Sequence, residues 1–184
     1  IFAEKAGRFN AKVAAAHHLG DQAEGVLMNL CRGSGPAGLS GMRPIRKDEH
    51  GFTLIRPLLW ADKSELEAYV KGRGFSWRED LTNLSGENTR GRVRCEVLPK
   101  LEEIFPGAAR HIAAFSAKQA AEESFLGRLA AKAYDGALCP DGTLDRAALS
   151  GEDPYVRQMV FSLWLKENGG VKDIGEAHYQ ALES

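Results

Sequence analysis

The pattern of apolar and polar positions predicts two short strands in the first third of the chain. Residues 12–16 form an apolar run that ends abruptly at His17. Residues 52–56 form a second run containing aromatic and β-branched side chains, and Pro57 closes it. Short continuous runs of this kind are typical of strands buried in a parallel sheet.

An amphipathic helix should follow each strand. Both helices have an acid at the start, a second acid three residues later and a glycine at the end, the spacing of a capping box and a helix stop. These signals are Asp21 with Glu24 and Gly33, and Asp62 with Glu65 and Gly74. The apolar faces are Ala23, Val26, Leu27, Leu30 and Cys31, then Leu66, Tyr69 and Val70. Strand followed by helix predicts an α/β fold.

The rest of the chain is predicted to be helical. A helix should begin at Thr89, with Pro99 bending it or lying in its first turns. Residues 108–134 are rich in Ala and lack Pro, which favours one long connecting helix. Pro154 should open a last helix after the turn at residues 139–143. These patterns divide the chain near residue 133. The resulting segments are 1–107, the linker helix 108–134, and a small domain at 135–184.

Composition limits the classes of function without choosing one. The hydrophobic fraction of 43% and charged fraction of 27% are those of a soluble globular protein, and no apolar run approaches a membrane span. The net charge of −1 requires any nucleic acid to bind a local basic patch. Cys31, Cys95 and Cys139 are scattered, which favours reduced thiols in the cytoplasm over disulfides or a zinc site, and no metal ligands are predicted. The absence of an initiator Met predicts a truncated start.

A polar cluster falls where the first strand meets its helix. His17, His18, Asp21, Gln22 and Glu24 lie within eight residues. Ligands bind at the carboxyl ends of strands in open α/β sheets, and imidazoles and carboxylates there can orient a phosphate, a metal or an amine. A purely structural role is equally consistent with the spacing, because the two acids could form a capping box and His17 could be packed.

Three arginines alternate in one short stretch, Arg90, Arg92 and Arg94, beside Asn83 and Asn88. Guanidinium groups suit forked contacts with phosphate. Cations at a helix start oppose the helix dipole, so helix energetics does not explain these arginines well. We therefore interpret them as nucleic-acid contacts, with a solvated helix start as the alternative.

Several blocks of sequence together resemble the isoleucine-tRNA lysidine synthetases. They occur in the family's order and spacing from about residue 10 to 105. The blocks are His17-His18-x-x-Asp21-Gln22-Ala23-Glu24, Arg32-Gly33-Ser34-Gly35-Pro36-Ala37-Gly38-Leu39-Ser40-Gly41-Met42, Arg56-Pro57-Leu58-Leu59, Trp77-Arg78-Glu79-Asp80-x-x-Asn83, and Thr89-Arg90-x-Arg92-x-Arg94 with Leu98-Pro99.

The resemblance implies the second half of a PP-loop (adenine nucleotide alpha hydrolase-like) parallel-sheet domain, then a helical linker and a small, mostly helical domain. It implies that ATP, with Mg²⁺, adenylates the wobble cytidine of a minor isoleucine tRNA and that free lysine displaces AMP. The implied catalytic residues are His18, Asp21 and Glu24, and the cofactor-binding residues are His17 and Gln22. The implied tRNA-binding residues are Arg32, Arg56, Arg78, Asn83, Arg90, Arg92 and Arg94.

The family's Ser-Gly-Gly-x-Asp-Ser loop, which cradles pyrophosphate, does not occur in these 184 residues. The isolated chain is therefore expected to be inactive. A non-catalytic tRNA-binding remnant is the alternative, and a homodimer is a possible assembly.

Overall fold

A computed structural model of the chain describes residues 2–48, 51–77 and 88–169. The chain divides into two compact units, Ile1–Ala120 and Ala121–Ser184. The boundary lies inside the long helix, whereas the sequence pattern places a division near residue 133. None of the described helices is long and apolar enough to cross a membrane.

The described part is mostly helical, with a small mixed sheet. The strands are β1 (Val13–Ala14), β2 (Ile45–Lys47) and β3 (Thr53–Ile55). The α-helices are α1 (Phe2–Phe9), α2 (Leu19–Cys31), α3 (Pro36–Leu39), α4 (Lys63–Gly72), α5 (Thr89–Arg92), α6 (Leu98–Ile104), α7 (Ala108–Ala137), α8 (Arg146–Leu149) and α9 (Pro154–Glu167).

The sheet has the strand order β1-β3-β2. Both predicted strands are present and pair in parallel, Val13 opposite Leu54. The expectation of a parallel sheet is wrong for β2, which pairs antiparallel with β3 and places Ile45 opposite Ile55. The sequence pattern did not reveal β2 because all three of its residues are exposed, so it has neither an apolar run nor an alternation.

The start of α2 differs from the prediction by one helical turn. His18, not Asp21, is the N-cap: its Nδ1 accepts a hydrogen bond from the Gly20 N–H at 3.0 Å. Asp21 is the third helical residue, and its carboxylate accepts from the His18 N–H at 3.0 Å. A capping box is therefore present, but it joins His18 to Asp21 and leaves Glu24 outside it.

The α4 caps follow the prediction. The Asp62 carboxylate accepts from the Ser64 N–H at 3.3 Å, and Glu65 accepts from the Asp62 N–H at 3.0 Å. Gly74 follows the helix with a φ of 71°, a left-handed conformation that glycine adopts without strain.

The predicted helix from Thr89 is interrupted by a π-helical turn, Val93–Val97, between α5 and α6. Pro99 lies in the first turn of α6, where its missing N–H is tolerated. Asn88 caps α5 by accepting from the Gly91 N–H at 2.8 Å.

The second unit has its own core, formed by Ala130, Tyr134, Ala137, Leu149 and Val160. The predicted turn is present between Leu138 and Leu144, which form an antiparallel bridge. Pro154 opens α9 as predicted, after Asp153 as N-cap.

Candidate functional site

The first turns of α2, just beyond the carboxyl end of β1, carry two acids that meet two of the three arginines. Arg90 Nε lies 2.8 Å from Glu24 Oε2, and Arg90 Nη2 lies 3.0 Å from Asp21 Oδ1. Arg94 Nε lies 2.6 Å from Glu24 Oε1, and its Nη2 lies 3.2 Å from Asp21 Oδ1. We call these four residues the acid–arginine cluster.

Burial differs sharply within the acid–arginine cluster. The Glu24 side chain is 2% exposed and that of Asp21 is 13% exposed, whereas Arg90 and Arg94 are 41% and 33% exposed. A buried carboxylate requires charged or hydrogen-bonding partners, and the two guanidinium groups supply them. The hydrogen bond to Glu24 raises the pKa of Arg94 above its ordinary value despite partial burial.

These contacts correct the argument from helix energetics. Arg90 lies in α5 and Arg94 in the π-helical turn that follows it, and both are stabilised by acids of α2. Tertiary ion pairs therefore account for cations that the dipole at the start of α5 disfavours. Arg92 is different: it lies 3.1 Å from Glu96, four residues on, and both side chains are more than half exposed. The assignment of Arg90, Arg92 and Arg94 as tRNA contacts stays a prediction.

The two histidines have different surroundings. His18 Nε2 lies 3.6 Å from Asp21 Oδ2, so His18 joins the acid–arginine cluster at its edge. His17 Nδ1 accepts from Arg56 Nε at 3.3 Å. Burial lowers the pKa of His17; Asp21 raises it, and Arg56, Arg90 and the neighbouring His18 lower it.

Gln22 is a structural link. Its Nε2 donates to the Met42 carbonyl at 3.2 Å and to Ser116 Oγ at 3.1 Å, and its Oε1 accepts from the Met42 N–H at 2.8 Å. A side chain at Gly41 would place its Cβ 2.6 Å from Gln22 Nε2. The structure therefore explains Gln22 without a ligand, and its cofactor role stays a prediction. Sequence analysis missed Ser116, because a single Ser inside a long helix carries no positional signal.

Of the remaining predicted tRNA residues, Arg32 and Arg56 lie in the part of the chain that the structure describes. Arg32 is exposed at the end of α2. Arg56 is buried, 8% exposed, and its Nη1 donates to the Arg43 carbonyl at 2.8 Å. Arg78 and Asn83 lie outside the described residues.

The described residues do not form a metal site by themselves. No group of three or more His, Cys, Asp or Glu side chains in residues 2–48, 51–77 and 88–169 could hold a metal ion. Asp21 and Glu24 are both engaged by guanidinium groups. Mg²⁺ that accompanies ATP is held largely by phosphates and water, so its presence stays a prediction.

Comparisons with known proteins agree on one family. The chain is 37% identical over 184 residues to the tRNA(Ile)-lysidine synthase of Salinispora arenicola, covering 98% of this chain and 55% of that protein. It is 40% identical over 143 residues to the protein of the same name from Geobacter sulfurreducens, covering 73% and 30%. It is 50% identical over 97 residues to the one from Symbiobacterium thermophilum, covering 53% and 20%.

The chain thus spans between about a fifth and just over half of the length of these relatives. A family profile described as the PP-loop domain matches residues 2–101, which is more than half of the chain and includes the whole acid–arginine cluster. The chain therefore belongs to the PP-loop domain family.

Proposed function

We propose that this chain is part of an enzyme that modifies tRNA by joining lysine to C2 of the wobble cytidine of a minor isoleucine tRNA. ATP transfers AMP to the C2 carbonyl oxygen and releases pyrophosphate. The lysine ammonium first loses a proton to solvent. Its neutral ε-amine then attacks C2, AMP leaves with the former carbonyl oxygen, and a second proton passes from the new C–N nitrogen to solvent. The names of the relatives and the PP-loop family support this proposal.

The observation that carries the proposal is the placement of Asp21 and Glu24. Both acids project from the start of α2, next to the carboxyl end of β1, where α/β proteins bind ligands. Asp21, whose side chain is 13% exposed against 2% for Glu24, is the acid that an incoming ammonium group reaches first, and partial burial strengthens its attraction for a cation. We assign these acids to the capture and orientation of the lysine side chain, which lowers the entropy cost of the attack.

The arginines of the acid–arginine cluster have a defined part in this proposal. They pair with Asp21 and Glu24 and neutralise their charge. A lysine ammonium that reaches Asp21 must compete with Arg90 or Arg94 for the shared oxygen Oδ1. An arginine displaced from Asp21 is then available to an anionic partner such as a phosphate.

His18 holds the geometry of the acids. Because its ring caps α2 and its backbone N–H binds the Asp21 carboxylate, it fixes the direction of that carboxylate. We propose His18 as an orienting residue in the catalytic group.

The alternative is a chain that binds tRNA without catalysis. Its motive is the run Arg90, Arg92 and Arg94, because guanidinium groups suit contacts with phosphate whether or not catalysis follows.

The two proposals differ in one assay. The full-length gene product that carries this sequence is incubated with ATP, lysine and an isoleucine tRNA with cytidine at the wobble position. The proposal predicts pyrophosphate release that requires both tRNA and lysine, together with a lysine adduct on the tRNA. The same tRNA with uridine at that position is the control and should give no adduct. Tight tRNA binding with no adduct would support the remnant and contradict the enzyme.

A further inference from the structure

We propose that Arg56 is a positioning residue that holds His17 as the neutral imidazole with its proton on Nε2. His17 then acts at the site as a hydrogen-bond donor and not as a base.

Arg56 is fixed by contacts on two sides. Its backbone N–H donates to the Pro44 carbonyl at 2.7 Å, and its Nη1 donates to the Arg43 carbonyl at 2.8 Å. The residue is 8% exposed. Its guanidinium is therefore tied to the segment before β2, and its Nε is aimed at His17 Nδ1, 3.3 Å away.

The chemistry of the two groups determines where the proton is. A guanidinium has five N–H donors, no acceptor and a permanent charge. The ring nitrogen that it contacts must therefore be unprotonated. An imidazole with a bare Nδ1 carries its proton on Nε2, whereas an imidazolium would oppose one N–H with another.

The surroundings of His17 lower its pKa overall. Burial is the largest cause; Asp21 opposes it by raising the pKa, and Arg56, Arg90 and the neighbouring His18 lower it. A pKa below the ordinary 6.5 favours the neutral imidazole at pH 7, in agreement with the hydrogen bond from Arg56.

The role of His17 follows from this protonation state. An Nε2–H donates to an oxygen, such as that of a phosphate or a carbonyl, and cannot accept a proton from an ammonium. The identity of the oxygen that accepts from His17 rests on the proposed function. The protonation state of His17 does not.

The test is a long-range ¹H–¹⁵N correlation spectrum of the full chain at neutral pH, with His17 assigned from the His17→Gln variant. We expect the shift of an unprotonated nitrogen for Nδ1 and of a protonated one for Nε2. His111, which is exposed on α7, is the comparator and should show shifts averaged between tautomers. A proton on His17 Nδ1, or averaged shifts like those of His111, would overturn the proposal.

Two variants test the role of Arg56 itself. Arg56→Met removes the donor, so the His17 shifts should move toward the averaged values of His111. Arg56→Lys keeps a charge and a donor and should retain part of the Nε2–H preference. An unchanged His17 spectrum in a folded Arg56→Met variant would remove Arg56 from this role. If Arg56→Met does not fold, the Arg56→Lys and wild-type spectra decide. A failed lysine-transfer assay leaves all these spectra unaffected, so the two proposals fail separately.

Discussion

At the residue scale, side chains of the same type in one motif have different partners. Arg90 and Arg94 join the acids of α2, whereas Arg92 pairs with exposed Glu96 on its own helical stretch. Sequence spacing identified all three arginines but could not separate them, because the ion pairs join residues 66 to 73 positions apart. Tertiary pairing of that kind leaves no local signal.

This difference in partners predicts that two matched substitutions change the free energy of unfolding by different amounts. Arg94→Gln should destabilise the chain by about 1.5–3 kcal/mol, because it weakens charged hydrogen bonds to a buried carboxylate. Arg92→Gln should leave the free energy of unfolding close to that of the wild type, because its ion pair with Glu96 is exposed to solvent. Urea unfolding measures both.

Arg92→Gln is also the clean probe of tRNA binding. If Arg92 contacts a phosphate, its loss should flatten the slope of log affinity against log salt concentration by about 0.7–0.9. Lys118→Gln on α7 is the control and should change the slope less. An unaltered slope in Arg92→Gln would exclude Arg92 from the tRNA contacts.

At the element scale, the sequence predicted which helices exist better than how they are joined. The Asp62–Glu65 box and the Ala-rich run of α7 are local signals, and both predictions are confirmed. The start of α2 was misplaced because histidine is an uncommon cap, and two acids three residues apart offered a more familiar one. The π-helical turn before α6 has no recognised sequence pattern.

The junction between α6 and α7 shows a cap that the sequence analysis missed. The Glu102 carboxylate accepts from the Gly107 N–H at 2.7 Å and the Ala109 N–H at 2.8 Å, across the start of α7. These backbone hydrogen bonds, that from Ala109 foremost, lower the pKa of Glu102. The position of Glu102, a few residues before the helix-breaking pair Pro106-Gly107, could have suggested this role.

A folded-state pKa below the unfolded value means that Glu102 stabilises the fold above about pH 4.3, and that this contribution disappears as the pH falls through the folded pKa. Glu102→Gln should therefore destabilise the chain by about 1 kcal/mol at pH 7. The gap from wild type should be smaller at pH 3 than at pH 7, because the Glu102 carboxylate takes up a proton as the pH falls. Glu103→Gln, an exposed neighbour paired with Lys100, is the control and should behave as wild type at both values. A gap that is the same at pH 3 and pH 7 would show that Glu102 acts through something other than its charge.

At the scale of the whole molecule, the sequence identified the family and the strand–helix junction that carries the candidate site. It could not show that two acids and two arginines neutralise each other at this junction. The central claim is that these acids receive the lysine side chain.

The most direct test is the lysine dependence of adduct formation by the full-length gene product with Asp21→Asn. Asparagine keeps an oxygen for capping but loses the charge. We predict a rise of at least about tenfold in KM for lysine, equal to about 1.4 kcal/mol, with the KM for ATP unchanged. Glu65→Gln alters an acid at the same third position of a capping box in α4, away from the cluster, and should behave as wild type. An Asp21→Asn enzyme with a wild-type KM for lysine would contradict the claim and leave Asp21 a helix-capping residue.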